Sequence, residues 1–78
     1  MNLNYLLKRE AIERIKKHYA AGTRIEAVHI CDAYAPEPGT KGTVVGVDDI
    51  GTIHVKWDNG KTLGCIPGVD QFHIITGE

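Results

Sequence analysis

Scarcity sets the first limits on this chain. Cysteine occurs only twice, at Cys31 and Cys65, too few for a disulfide framework. Both are expected as thiols in a reducing compartment, behaving as small apolar residues that prefer burial. Neither sign of charge prevails: nine Lys+Arg against ten Asp+Glu leave a net charge of -1. No whole-chain field therefore draws phosphate backbones or anionic lipid, and nucleic-acid binding would need a local patch. Apolar runs last only a few residues, far short of the roughly 20 that cross a bilayer. Residues 1–7 lack the basic n-region, long apolar core and small-residue cleavage site of a signal peptide. A cytoplasmic protein with no membrane attachment is expected. Nor is there a G-x-x-x-x-G-K-[ST], G-x-G-x-x-G or G-x-S-x-G pattern, which removes the common nucleotide-binding and hydrolase motifs. No enzyme class is supported.

What is present fits one small folded domain, residues 1–78. A chain of 78 residues buries only about 60% of its unfolded surface and cannot divide that core in two. Its composition, 42% hydrophobic and 24% charged, is that of an ordinary globular protein.

A helix is predicted over residues 3–20. No Gly or Pro interrupts it, and Ile12, Ile15 and Tyr19 recur at helical spacing, flanked by Tyr5, Leu7 and Ala11. Glu10 with Arg14 and Glu13 with Lys17 stand at i,i+4, acid before base. Lys16, Lys17 and His18 suit the negative end of the macrodipole, and Gly22 is placed to cap it. Lys8 interrupts the apolar stripe, so docking is expected to begin near Ala11. Leu3 and Leu6 fall off the stripe and read either as an exposed terminus or, with Leu7, as a self-association surface for a weak homodimer.

Beyond Gly22 the period changes to 2 and turn residues become dense. Strands are predicted at 23–30, 42–47, 52–57, 61–66 and 72–76. A long polar loop spans 32–40, a turn spans 48–51, and Pro67-Gly68-Val69-Asp70 reads as a short 3₁₀ link. The hairpin at Asp58-Asn59-Gly60 fixes a register. A two-residue loop would pair Val55 with Gly64, whereas a longer loop with Gly60 in the left-handed bulge position pairs Val55 with Leu63 and Ile53 with Cys65. Apolar against apolar selects the second, placing Ile53, Val55, Trp57, Leu63 and Cys65 on one face and Thr52, His54, Lys56 and Thr62 on the other. Five short twisted strands of this kind are expected to close into a barrel, with the helix over one open end. The expected fold is α+β: an N-terminal amphipathic helix and a five-stranded SH3-like barrel over residues 22–77.

His29, Cys31, Cys65 and His73 are potential soft-metal ligands, yet no Cys-x-x-Cys or His-x₃-His knuckle joins them, and no metal or other cofactor is expected. A Cys–His nucleophile pair lacks a nameable oxyanion donor. Asp48, Asp49, Asp58 and Asp70 form no calcium ladder and read as turn residues. What remains is a surface: Asp32, Tyr34 and Pro36 in the long loop, Trp57 beside the distal hairpin, and Lys41, Lys56 and Lys61 near the same loops. Aromatic residues on the loops of a rigid barrel engage peptides or single-stranded bases. Trp57 faces the core side by register and reads first as packing.

The stretch Pro38-Gly39-Thr40-Lys41-Gly42-Thr43-Val44-Val45-Gly46-Val47-Asp48-Asp49, followed by Gly51-Thr52-Ile53-His54-Val55-Lys56-Trp57-Asp58-Asn59-Gly60, resembles the domain-of-unknown-function 4314 family of bacterial and phage proteins. Tyr19–Ile25 and Ile66–Asp70 extend the resemblance over most of the chain. The sequence departs from the family at residues 2–7 and 32–36. The resemblance implies a gene carried on phages and other mobile elements, with no catalytic residue. More distantly, Gly-x-Val-x-x-Val followed by Trp-x-x-Gly is similar to KOW-type and other SH3-like barrels. A protein-binding or accessory module is the expected function, using the 32–40 loop and the hairpin. The alternative is a nucleic-acid-binding barrel using Lys41, Lys56 and Lys61.

Overall fold

The computed structural model describes residues 3–75, with side chains from Lys8 onward. Helix α1 runs Leu3–His18 and carries Lys16, Lys17 and His18 in its last turn. The exposed terminus or self-association surface expected of Leu3, Leu6 and Leu7 lies outside the described side chains, as does Thr76 at the end of the last predicted strand. Among the described side chains Lys8 is exposed while Ala11, Ile12, Ile15 and Tyr19 are half-buried, in keeping with docking from about Ala11 onward. Gly22 does not cap the helix. It stands four residues beyond His18 with φ +94°, and its N–H donates to the Val44 carbonyl at 2.8 Å. Its left-handed φ serves the turn in which the Thr23 N–H donates to the Ala20 carbonyl at 3.1 Å.

Five strands follow: β1 (Arg24–His29), β2 (Lys41–Val47), β3 (Ile53–Trp57), β4 (Thr62–Cys65) and β5 (Gln71–Ile74). They form one antiparallel sheet in the order β4-β3-β2-β1-β5. The fold is α+β. Among the described residues no ladder joins β4 to β5, so the sheet has two end strands rather than the closed ring expected. The β3–β4 register pairs Ile53 with Cys65 and Val55 with Leu63. Gly60, at φ +90°, takes the left-handed position of that hairpin, and its N–H donates to the Trp57 carbonyl at 3.0 Å. Ladder irregularities between Ala27 and His29, and between Val44 and Gly46, leave Val28 and Val45 as extra residues that tighten the local twist.

Ile25, Ala27, Ile30, Val44, Ile53, Val55, Trp57 and Cys65 are buried together, and Ile15, Tyr19, Leu63, Phe72 and Ile74 pack against them. Helix and sheet therefore share one core. Gly42 crosses it where no side chain fits: a Cβ there would lie 2.7 Å from both Trp57 Cε3 and Val55 Cγ1. Residues 66–70 form a turn rather than the predicted 3₁₀ link. Gly68 has φ +86°, and a 3₁₀ turn requires negative φ. At the far end of the ladder the Ile75 N–H donates to the Arg24 carbonyl at 2.9 Å, so β5 finishes beside the start of β1.

Candidate functional site

Two loops meet at one end of the molecule. Asp32 opens the first by accepting the Tyr34 N–H on Oδ1 at 2.8 Å, an Asx turn that turns Tyr34 outward, 77% exposed. Ala35 packs on the core and Pro36 is buried, which anchors the loop from inside. Pro36 is accordingly not a contact residue, a correction to its place in the expected surface. Asp70 ties in the second loop: its Oδ1 accepts the Cys31 N–H at 2.8 Å and its Oδ2 the Ile66 N–H at 2.7 Å. The Cys31 thiol donates to the Val69 carbonyl at 3.5 Å. Ile66 (50% exposed) and Val69 (54%) thus stand on a turn pinned to the root of the loop that carries Tyr34. Asp70→Ala removes both acceptors at once. It should lower stability by about 1 kcal/mol, because water can rehydrate part of each N–H. Urea unfolding followed by circular dichroism, with amide exchange at Cys31 and Ile66, checks this.

The outer face of the sheet is polar. Arg24, Thr43, Lys56 and Thr62 stand in one cross-strand row, with Glu26 opposite Lys41 in the next. Arg24 donates to both carboxylate oxygens of Asp58, at 2.8 and 2.7 Å, and to Thr43 Oγ1 at 2.9 Å. His73 pairs with Glu26 at 2.8 Å. Lys41 and Lys56 therefore do share a face, diagonal to one another across β2 and β3, and exposed Lys61 follows at the hairpin end. Carboxylates are interleaved with them.

Trp57 leaves the site. It is 1% exposed, and its indole N–H donates to the Leu63 carbonyl at 3.2 Å, so it can stack on nothing outside the core. Cys65 is buried as the register required, and burial pushes its thiol up to about 12. Cys31 is exposed, contrary to the expectation of burial for both thiols. Among the described residues no three His, Cys, Asp or Glu side chains gather as metal ligands. No helix among them is long and apolar enough to cross a membrane.

At the opposite end of β2, Asp48 builds the β2–β3 turn. Its Oδ1 accepts from the Ile50 and Thr52 N–H groups at 3.1 and 3.0 Å, and its Oδ2 lies 2.8 Å from His54 Nε2. The His54 contact first, then the backbone donors, holds the Asp48 carboxyl below its ordinary 3.8. Arg24 does the same to Asp58. A native value below the unfolded one contributes stability that is complete above the ordinary value and lost as pH falls through the lowered one. Urea midpoints should hold steady down to about pH 3.8 and then decline. Asp48→Asn together with Asp58→Asn should flatten that decline.

Between this turn and α1 lies an open groove of about 620 Å³, lined by Lys8, Arg9, Ile12, Glu13, Lys16, Asp49 and Ile50. Asp32 and Tyr34 belong to the surface expected from sequence, whereas Ile66, Val69 and Asp70 do not. Residues 67–70 read in the sequence only as a link with turn residues. The family model described as "Domain of unknown function (DUF4314)" matches residues 8–75. No curated protein matches the chain.

Proposed function

The chain belongs to the DUF4314 family, and on that premise we propose that it is a non-catalytic, cytoplasmic protein-interaction module, an accessory part of a mobile element. Its partner docks on the surface formed by the 32–40 loop and the 66–70 turn. Tyr34, Ile66 and Val69 carry the proposal: three exposed apolar side chains on two loops that Asp70 fastens together. Apolar groups held out from a rigid sheet on pinned loops lose little entropy on binding. An SH3-like barrel is the finer architecture proposed. It is supported by the strand order β4-β3-β2-β1-β5 and by Cys65 of one end strand and Phe72 of the other packing into one core.

Selection from a random peptide library, followed by amide shift mapping of the winners, tests the site. Shifts should centre on Tyr34, Ile66 and Val69, and Tyr34→Ala should weaken binding by about tenfold or more. A library that yields no binder overturns the proposal, as do shifts centred on Lys41 and Lys56. The second reading, nucleic-acid binding, is favoured by the shared face of Lys41 and Lys56 and weakened by Glu26 and Asp58 among them. Gel-shift titration at low and high salt decides it, since phosphate contacts must be salt-sensitive.

A further inference from the structure

The nine Lys and Arg residues all fall within residues 8–24 and 41–61. Residues 25–40 and 62–78 contain Glu26, Asp32, Glu37, Asp70 and Glu78 and no Lys or Arg. The two loops that present Tyr34, Ile66 and Val69 are therefore acid-only. The groove between α1 and the β2–β3 turn carries a net excess of base, Lys8, Arg9 and Lys16 against Glu13 and Asp49. It offers exposed Lys8 and Arg9 beside half-buried Ile12 and an Ile50 that is 78% exposed. Its third base, Lys16, is already paired with Asp49 at 3.0 Å.

We infer that the partner of the 32–40 loop is a second copy of this chain, which seats Tyr34 in that groove against Ile12 and Ile50 while Asp32 and Glu37 face Lys8 and Arg9. The inference rests on the loop being an interaction surface and names its occupant. The loop precedes β2 and the turn follows it, so the two complementary surfaces stand at opposite ends of a seven-residue strand roughly 23 Å long. A single chain cannot bring them together. The contact is head-to-tail, using different patches on the two copies, and each pairing leaves one loop and one groove free for further copies. Few apolar groups and several exposed charges make it weak and salt-sensitive.

Sedimentation velocity of the full chain over a range of concentrations, at roughly 50 mM and about 500 mM salt, is the experiment. Reversible, concentration-dependent association that weakens at high salt is expected. Tyr34→Ala, Arg9→Glu and Glu37→Lys should each weaken it by about tenfold. The double variant R9E/E37K should recover it, as should mixing the two single variants. All three positions are exposed, and matching thermal melts confirm that each variant folds. A monomer at every concentration overturns the inference, and so does association indifferent to salt and to these reversals. Peptide selection repeated on the Arg9→Glu chain separates the two claims. Binders at Tyr34 together with a monomeric parent sink the second-copy partner and leave the interaction surface standing, whereas neither binders nor association sinks both.

Discussion

Trp57→Ala is expected to cost the chain a large share of its stability and to lower its melting temperature by roughly 12–40 °C. Trp57 is the largest fully buried side chain, 1% exposed, and it sits where β3 meets Gly42 of β2. Truncating a buried aromatic to alanine costs about 3–5 kcal/mol in lost transfer energy and unrelaxed cavity. A domain of this length has a total stability of only about 4–12 kcal/mol. The indole also satisfies part of the Leu63 carbonyl, at 3.2 Å. Trp57→Phe keeps most of the volume and loses that bond, so it should remain folded and melt lower. Far-ultraviolet circular dichroism against temperature and urea checks both variants. An alanine variant that melts within a few degrees of the parent would show that the ring is not the keystone of this core.

The second large effect runs against strand propensity. Gly in a strand interior is ordinarily inferior to Ala by roughly 0.5–1 kcal/mol, so Gly42→Ala would stabilise an unconstrained site. Here the new Cβ meets Trp57 Cε3 and Val55 Cγ1 at 2.7 Å, and both belong to fully buried side chains with no room to retreat. Overpacking of this kind costs about 1–3 kcal/mol, enough to reverse the sign. A double-mutant cycle identifies the cause. Val55→Ala removes one of the clashing methyls, so the cost of Gly42→Ala should shrink in that background and the two changes should not add. Additive costs would place the origin in the backbone instead.

These two sites also show what the sequence made legible. The hairpin register was readable because Asn59-Gly60 leaves two choices of loop and only one sets Val55 against Leu63. From that register the burial of Trp57 and Cys65 followed. The strands were found to within two residues because alternation and turn residues are local signals. Long-range partners were not. Nothing near Asp70 in the sequence announces that its carboxylate bonds the Cys31 N–H at a separation of 39 residues. The exposed turn beside it was therefore read only as a connecting link. Gly22 invited a local interpretation as a helix cap, while its N–H pairs with Val44, which lies in the sheet. Burial of Pro36 was hidden for the same reason. A loop carrying Asp32, Pro36, Glu37, Pro38 and Gly39 looks exposed throughout, and nothing local shows that Ala35 packs on the core beside a buried Pro36. Of the candidate surface, Asp32 and Tyr34 were legible as part of a long polar loop that carries an aromatic, whereas Ile66 and Val69 depend on the long-range bonds of Asp70.

The bond between the Ile75 N–H and the Arg24 carbonyl has a mechanical consequence. Because β1 begins where β5 ends, tension applied between α1 and the far end of β5 does not shear the two strands along their length. It pulls them apart from one end, breaking the ladder of Ile25 with Ile74, Glu26 with His73 and Ala27 with Phe72 a pair at a time. Once load reaches these strands their ladder is expected to open like a zipper from the Ile75 end, at lower force than shearing the same bonds together.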